Sequence, residues 1–351
     1  MLKILKKILF RLFYIRGVWQ TVRYFNRDKI VILMYHGVTD REIGVWTQLS
    51  SARFEEQMRY IGRHYHPIAL SEAVAMLRKE KPMVPNSIVV TFDDGFRNNR
   101  TIAYPILRKH NIPATIFLTT SFVDRGGQYE GFLWTDYIYL LLMSTAETML
   151  DVNDLGLGQL DISDHKKKYQ ARDAICGALK RMPYQEKARI IEAIRSRLKC
   201  AINPQISEPF LPLGWDEIKE MSESGLVSFG AHTVTHEILT QLPDSVMRDE
   251  INQSQEALER ILSEKVEYFA YPNGTMADFN EGIKRIVAEK FGCALTTIEG
   301  LNRAGCDMYE LKRVNIGNDM GLSEFKMTLS GTAFMLRRLR PGRQNRISTD
   351  K

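Results

Sequence analysis

Asp93 and Asp94 stand side by side at the end of an apolar run, "SIVVTF" from Ser87 to Phe92, and Gly95 follows them. Two carboxylates this close repel each other, and one takes up a proton unless a cation lies beside them. A second pattern supplies partners for such a cation. In "VSFGAHTVTHEIL", Val227 to Leu239, a strand-like run ends in Gly230 and Ala231 and then presents His232 and His236, four positions apart. In a helix or a tight turn that spacing puts both imidazoles on one side. Two histidines and one carboxylate make a ligand set for a catalytic divalent metal with positions left open for water and substrate. Glu237 comes after the second histidine, so the order is not HExxH and the zincin pattern does not apply.

A third residue of interest is His36, which closes the apolar run "VILMYHGV". Strand ends of this kind are where the active-site residues of α/β barrels collect. The remaining histidines, His64, His66, His110 and His165, lie in polar or helical contexts and read as structural. Trp134 and Trp215 could stack on a sugar ring, although core packing is the usual fate of a lone tryptophan.

These residues need elements to carry them. Strand-like runs recur along the chain: "KIVILMY", "SIVVTFDD", "PATIFLTT", "GLVSFGAHT", "VEYFAYP", "GCALTT" and "LKRVNI", with helix-like runs between them. Such alternation predicts an α/β fold, a parallel sheet covered by helices and either open or closed into a barrel. From about residue 125 to 214 the rhythm breaks into several helix-like stretches with no convincing strand, which predicts a helical insertion in one loop of the α/β domain.

"TFDDG" and "HTVTH" together resemble the first two motifs of the NodB-type polysaccharide deacetylases, carbohydrate esterase family 4. "FAYPNG", Phe269 to Gly274, resembles a variant of the third motif of that family, and the likeness extends over roughly residues 30–317 apart from the insertion. The resemblance implies a distorted (β/α) barrel of about seven strands. It also implies a divalent metal on Asp94, His232 and His236, with Asp93 as the general base for a water and the Tyr271 backbone N–H as an oxyanion donor. Zinc is the expected ion, with cobalt, nickel or iron also compatible with these ligands.

Two positions depart from the pattern. No histidine follows His236, so His36 takes the role of proton donor to the leaving amine, as in some exopolysaccharide deacetylases. Ala270 stands where the motif arginine would steady the base, and Arg313 in "LKRVNI" is the candidate replacement. The implied reaction is removal of an N-acetyl or N-formyl group from an amino sugar of a polysaccharide or lipid-linked glycan. The alternatives are a sugar- or metal-binding pseudoenzyme of the same fold, or an esterase or deformylase using the same chemistry.

The bulk properties fit this reading. The 351 residues are 44% hydrophobic and 26% charged, those of a globular protein with ample core. Cys176, Cys200, Cys293 and Cys306 are widely spaced, with no zinc-ribbon pattern and no disulfide framework. The net charge of +6 is concentrated at the ends. Residues 1–29 form a basic, apolar segment in which Leu5, Ile8, Leu9, Leu12, Phe13 and Ile15 fit a helical stripe, too charged to span a bilayer but suited to lie on an anionic one. Residues 318–351 read as a helix and a basic tail. Nucleic acid is not expected, because the positive charge is not interleaved with aromatics along a groove. The expected location is the cytoplasm, with peripheral contact at the inner face of the membrane through the N-terminal segment.

Overall fold

The computed structural model describes residues 17–123 and 129–338. The apolar stripe of residues 5–15 and the polar tail beyond residue 338 lie outside the described residues. Seven strands form the frame: β1 (Val31–Tyr35), β2 (Ser87–Phe92), β3 (Ala114–Leu118), β4 (Val227–Ala231), β5 (Tyr268–Ala270), β6 (Cys293–Glu299) and β7 (Leu311–Asn315). Each pairs in parallel with the next, and β1 pairs with both β2 and β7, so the sheet closes into a barrel. The closure is uneven. β4 meets β5 at one register pair, Phe269 opposite Ala231, and the β6–β7 register shifts between Leu295 and Glu299. A two-residue strand, His66–Pro67, pairs with β2 outside the ring.

The strands are apolar throughout because both of their faces are buried. Alternation then sorts the residues. Val31, Leu33 and Tyr35 of β1, and Ile88, Val90 and Phe92 of β2, pack outward against the helices. Ile32, Val89, Phe117, Ala270, Leu295 and Leu311 share the apolar cluster on the other side, the barrel interior. The same parity puts Thr91 and Asp93 inward on β2, His36 inward at the end of β1, His232 inward after β4, and Arg313 inward on β7. A core strand therefore delivers a carboxylate to the site simply by continuing its pleat.

The segment between β3 and β4 carries helices Trp134–Ser144, His165–Leu179 and Tyr184–Leu198 around a core of their own, including Tyr137, Ile138, Leu141, Ile175, Ile190, Ile191 and Ile194. It also carries a feature that the sequence reading missed, an antiparallel pair Met149–Asp151 and Gln159–Asp161. The strands are three residues each, with only Leu150 and Leu160 turned inward, too short to show a period; Gly156 and Gly158, both at φ 67°, make the turn. The insertion docks on the carboxyl ends of the barrel strands through Leu133, Tyr139, Leu140 and Phe210 against Ile43, Val45, Phe96 and Phe122.

Candidate metal centre

β2 ends in a turn that only its sequence permits. Asp94 lies at φ 76° and Gly95 at φ 93°, and a Cβ on Gly95 would stand 2.5 Å from Leu118 Cδ2. The turn swings Asp94 towards the loop after β4. That loop is a bend rather than a helix, with Thr233 at φ 65° and His236 at φ 60°. Left-handed backbone at non-glycine residues costs about 1–3 kcal/mol each and persists only where the surroundings enforce it. Here Glu250, from helix Asp244–Leu262, accepts the amide protons of Val234 and Thr235, both at 2.8 Å, and the Thr235 hydroxyl at 2.6 Å. Thr233 Oγ1 accepts the His236 amide proton at 3.1 Å.

The result is convergence. Asp94 Oδ1 lies 3.7 Å from His232 Nε2 and 3.4 Å from His236 Nε2. Tetrahedral ligands held at about 2.0–2.1 Å from a zinc ion sit roughly 3.3–3.4 Å apart, so the spacing is that of a ligand set. His232 Nδ1 donates to the Ala270 carbonyl at 2.7 Å; a carbonyl can only accept, so Nδ1 carries the proton and Nε2 presents a bare lone pair. Asp94 Oδ1 is buried with no hydrogen-bond donor. Burial, then the charges of Asp93 and Asp136, push the Asp94 carboxyl well above the usual carboxylate range, while burial holds both imidazoles below theirs. Neutral imidazoles facing a carboxylate short of positive charge are the donor set a divalent cation requires.

Asp93 is handled differently. Arg313 donates from Nη1 to Asp93 Oδ1 at 2.7 Å and from Nη2 to Oδ2 at 2.8 Å, and its Nε donates to the Thr296 carbonyl at 2.8 Å. Burial alone would raise the Asp93 carboxyl, but the guanidinium outweighs it and holds the group down at about 2. Asp93 is thus steadied by an arginine from β7. Ala270 on β5 has no space for one, being fully buried in the barrel interior with its carbonyl under His232.

His36 sits edge-on to Trp46, ring centroids 4.9 Å apart, with Nδ1 buried and unpartnered. Burial lowers its pKa to about 4, opposed by the charge of Asp93. The insertion contributes groups that the sequence reading passed over. Asp136 is buried with Oδ2 unpartnered and is raised by burial to about 7. Lys180 Nζ donates to Asn273 Oδ1 at 2.9 Å. Trp134 lies in the insertion core, and Trp215 opens the helix Trp215–Glu223 against the barrel's outer cluster.

Tyr271 is a correction. The pleat turns it outward, where its ring stacks on Phe279 at 4.6 Å, and its N–H donates to the Leu295 carbonyl at 3.1 Å within the barrel ladder. That donor is committed to the sheet. The Tyr271 hydroxyl is buried without a partner, so a Tyr271→Phe variant removes an unsatisfied group and keeps the shape. Its thermal midpoint should equal or exceed the parent's, with turnover within about twofold, as calorimetry and a progress curve will show.

The barrel has the architecture of several solved deacetylases. It superposes on the Streptococcus pyogenes deacetylase PplD with a TM-score of 0.57 at 20% identity, covering 86% of this chain and 98% of that one. For IcaB from Ammonifex degensii the TM-score is 0.56 at 19% identity, over 86% and 97% of the two chains. In sequence, YxkH of Bacillus subtilis is 34% identical over 91 residues, 26% of this chain and 32% of YxkH. The poly-β-1,6-N-acetyl-D-glucosamine N-deacetylase of Escherichia coli K12 is 27% identical over 96 residues, 27% of this chain but only 14% of that protein. The family model for polysaccharide deacetylases matches residues 80–293, more than half of the chain and the span that holds Asp93, Asp94, His232 and His236; the chain belongs to that family.

Proposed function

We propose that the chain is a metal-dependent hydrolase that removes an N-acetyl or N-formyl group from an amino sugar of a glycan. The observation that carries this reading is the approach of Asp94 Oδ1 to two Nε2 atoms beside a carboxylate that does not share them, Asp93 being held instead by Arg313. The E. coli relative, whose name gives an N-acetylglucosamine polymer as its substrate, supports the choice of acyl group and sugar.

Asp94, His232 and His236 would hold the ion, zinc first among the metals these ligands accept. When bound, it lowers the pKa of a water and polarises an acyl carbonyl. Asp93 is fixed by Arg313 but keeps lone pairs free on both oxygens, and it accepts the proton of the attacking water. The water oxygen bonds to the acyl carbon, the C–N bond breaks, and a proton must reach the leaving nitrogen. His36, inward at the end of β1 and close enough to Asp93 for their charges to interact, is assigned that delivery. For the oxyanion, the Tyr271 N–H is already spent on the Leu295 carbonyl and Pro272 has none.

The test is acetate or formate release from amino-sugar oligosaccharides before and after dialysis against a chelator. Stripping should abolish release and zinc should restore it, while Asp94→Asn should neither retain zinc at stoichiometry nor respond to its return. Full activity in the stripped protein would overturn the reading.

The reading keeps a peripheral membrane contact on the cytoplasmic side. Helix Val18–Phe25 exposes Tyr24 (59%) and Phe25 (77%), and the Arg27 guanidinium lies over the Tyr24 ring. No described helix is long and apolar enough to cross a membrane. This helix leads into the amino end of β1, where the Asn86 amide donates to the Arg27 carbonyl at 2.7 Å, whereas the metal ligands stand at the carboxyl ends. A molecule docked through it would turn its site away from the lipid, which favours a glycan reaching out from the surface over a headgroup within it.

A further inference from the structure

The insertion reaches the metal loop through a buried ion pair. Lys187, on helix Tyr184–Leu198, donates to the carboxylate of Glu237, the residue directly after His236, and the two side chains are 1% and 4% exposed. The Trp134 ring, from another insertion helix, covers the ammonium at 5.0 Å. Removing both charges from water costs several kcal/mol per ion, and an apolar pair of similar volume commonly serves stability as well or better. The pair is therefore poorly explained as a fold stabiliser. What it supplies is a fixed position: Lys187 belongs to a unit with its own apolar core, and Glu237 belongs to the strained loop that presents a metal ligand.

The two histidines differ in how they are held. The His232 ring is oriented directly, by the Ala270 carbonyl. His236 is oriented through its backbone, with Thr233 and Glu250 gripping the loop on its amino side and Glu237 gripping it on the other. A second tie joins the insertion to the neighbouring loop, where Lys180 meets Asn273. We infer that Lys187 is a positioning residue, through which the insertion sets the placement of His236 and hence the affinity of the Asp94, His232 and His236 cluster for a divalent ion. The inference rests on the reading of those three residues as ligands. It makes the insertion a working part of the metal centre as well as a cover over the barrel.

The experiment uses the full chain, stripped of metal and titrated with zinc in competition with a chromophoric chelator. Thermal midpoints of the stripped proteins are recorded alongside. The variants are Lys187→Met, the double variant Lys187→Met with Glu237→Gln, and a control, Arg195→Ala, which breaks an exposed pair with Glu192 on the same helix. Loss of a group that orients a metal ligand weakens binding by about 10–100-fold. Lys187→Met should bind zinc at least about tenfold more weakly, and Arg195→Ala should match the parent. The double variant leaves no lone buried charge, so it should regain the stripped protein's midpoint and still bind zinc about tenfold more weakly. That combination separates positioning from stability, and the double variant carries the same expectation should the single one fail to fold. Parental zinc affinity in the double variant overturns this inference alone; a parent that takes up no zinc overturns the ligand assignment together with it.

Discussion

An Arg313→Met variant will lose about 3–5 kcal/mol of stability and all measurable deacylation. The guanidinium is fully buried and uses three of its nitrogens on fixed partners, two on the Asp93 carboxylate and one on the Thr296 carbonyl. Methionine roughly keeps the aliphatic volume and removes the charge. Asp93 is then either an unpaired anion in the barrel or a protonated acid unable to accept a proton from water. Chemical denaturation measures the first loss and acetate release the second. A double variant, Arg313→Met with Asp93→Leu, should recover most of the stability, since neither charge remains, while activity stays absent. Wild-type stability in the single variant would mean that the pair is not what holds the carboxylate ionised.

How much of this was legible in the sequence follows from what each residue must do locally. The strands announced themselves because burial on two faces forces uninterrupted apolar runs, and their carboxyl ends were marked by the polar residues that break those runs. Asp93 and Asp94 with His232 and His236 stood out because so few stretches combine charge with a strand end. Arg313 could be named as a candidate but not placed, since its approach to Asp93, 220 residues away in sequence, depends on β7 closing beside β1. Tyr271 was named for its backbone N–H, and that N–H is taken by the Leu295 carbonyl of the neighbouring strand, a partner that the motif itself does not reveal. The insertion showed as helix-like stretches without a strand, yet Lys187 in one of them looks like any solvent-facing lysine until Glu237, 50 residues on, is found against it.

Asp93→Asn will keep its metal and lose its turnover, by about 10²–10⁴-fold. The two halves of that expectation follow from the division of labour between adjacent carboxylates. Asp94 points to the imidazoles and Asp93 to Arg313, so exchange of an Asp93 oxygen for an amide nitrogen leaves the three converging ligand atoms in place. The amide can accept one Arg313 donor but turns an N–H towards the other, and it has no basic lone pair to offer a water. Asparagine therefore weakens the pairing as well as removing the base. Metal content must accordingly be measured on folded protein, well below the variant's thermal midpoint. In the parent, the guanidinium holds the Asp93 pKa at about 2, so the carboxylate is ionised at every physiological pH. A pseudoenzyme of the same fold, suggested by Ala270 and by the lack of a histidine after His236, makes a different forecast: the parent would bind zinc and release no acetate, and Asp93→Asn would change nothing. If instead the variant retains zinc and turns over at the parental rate, the proton acceptor lies elsewhere, and the pairing of Asp93 with Arg313 is architecture rather than chemistry.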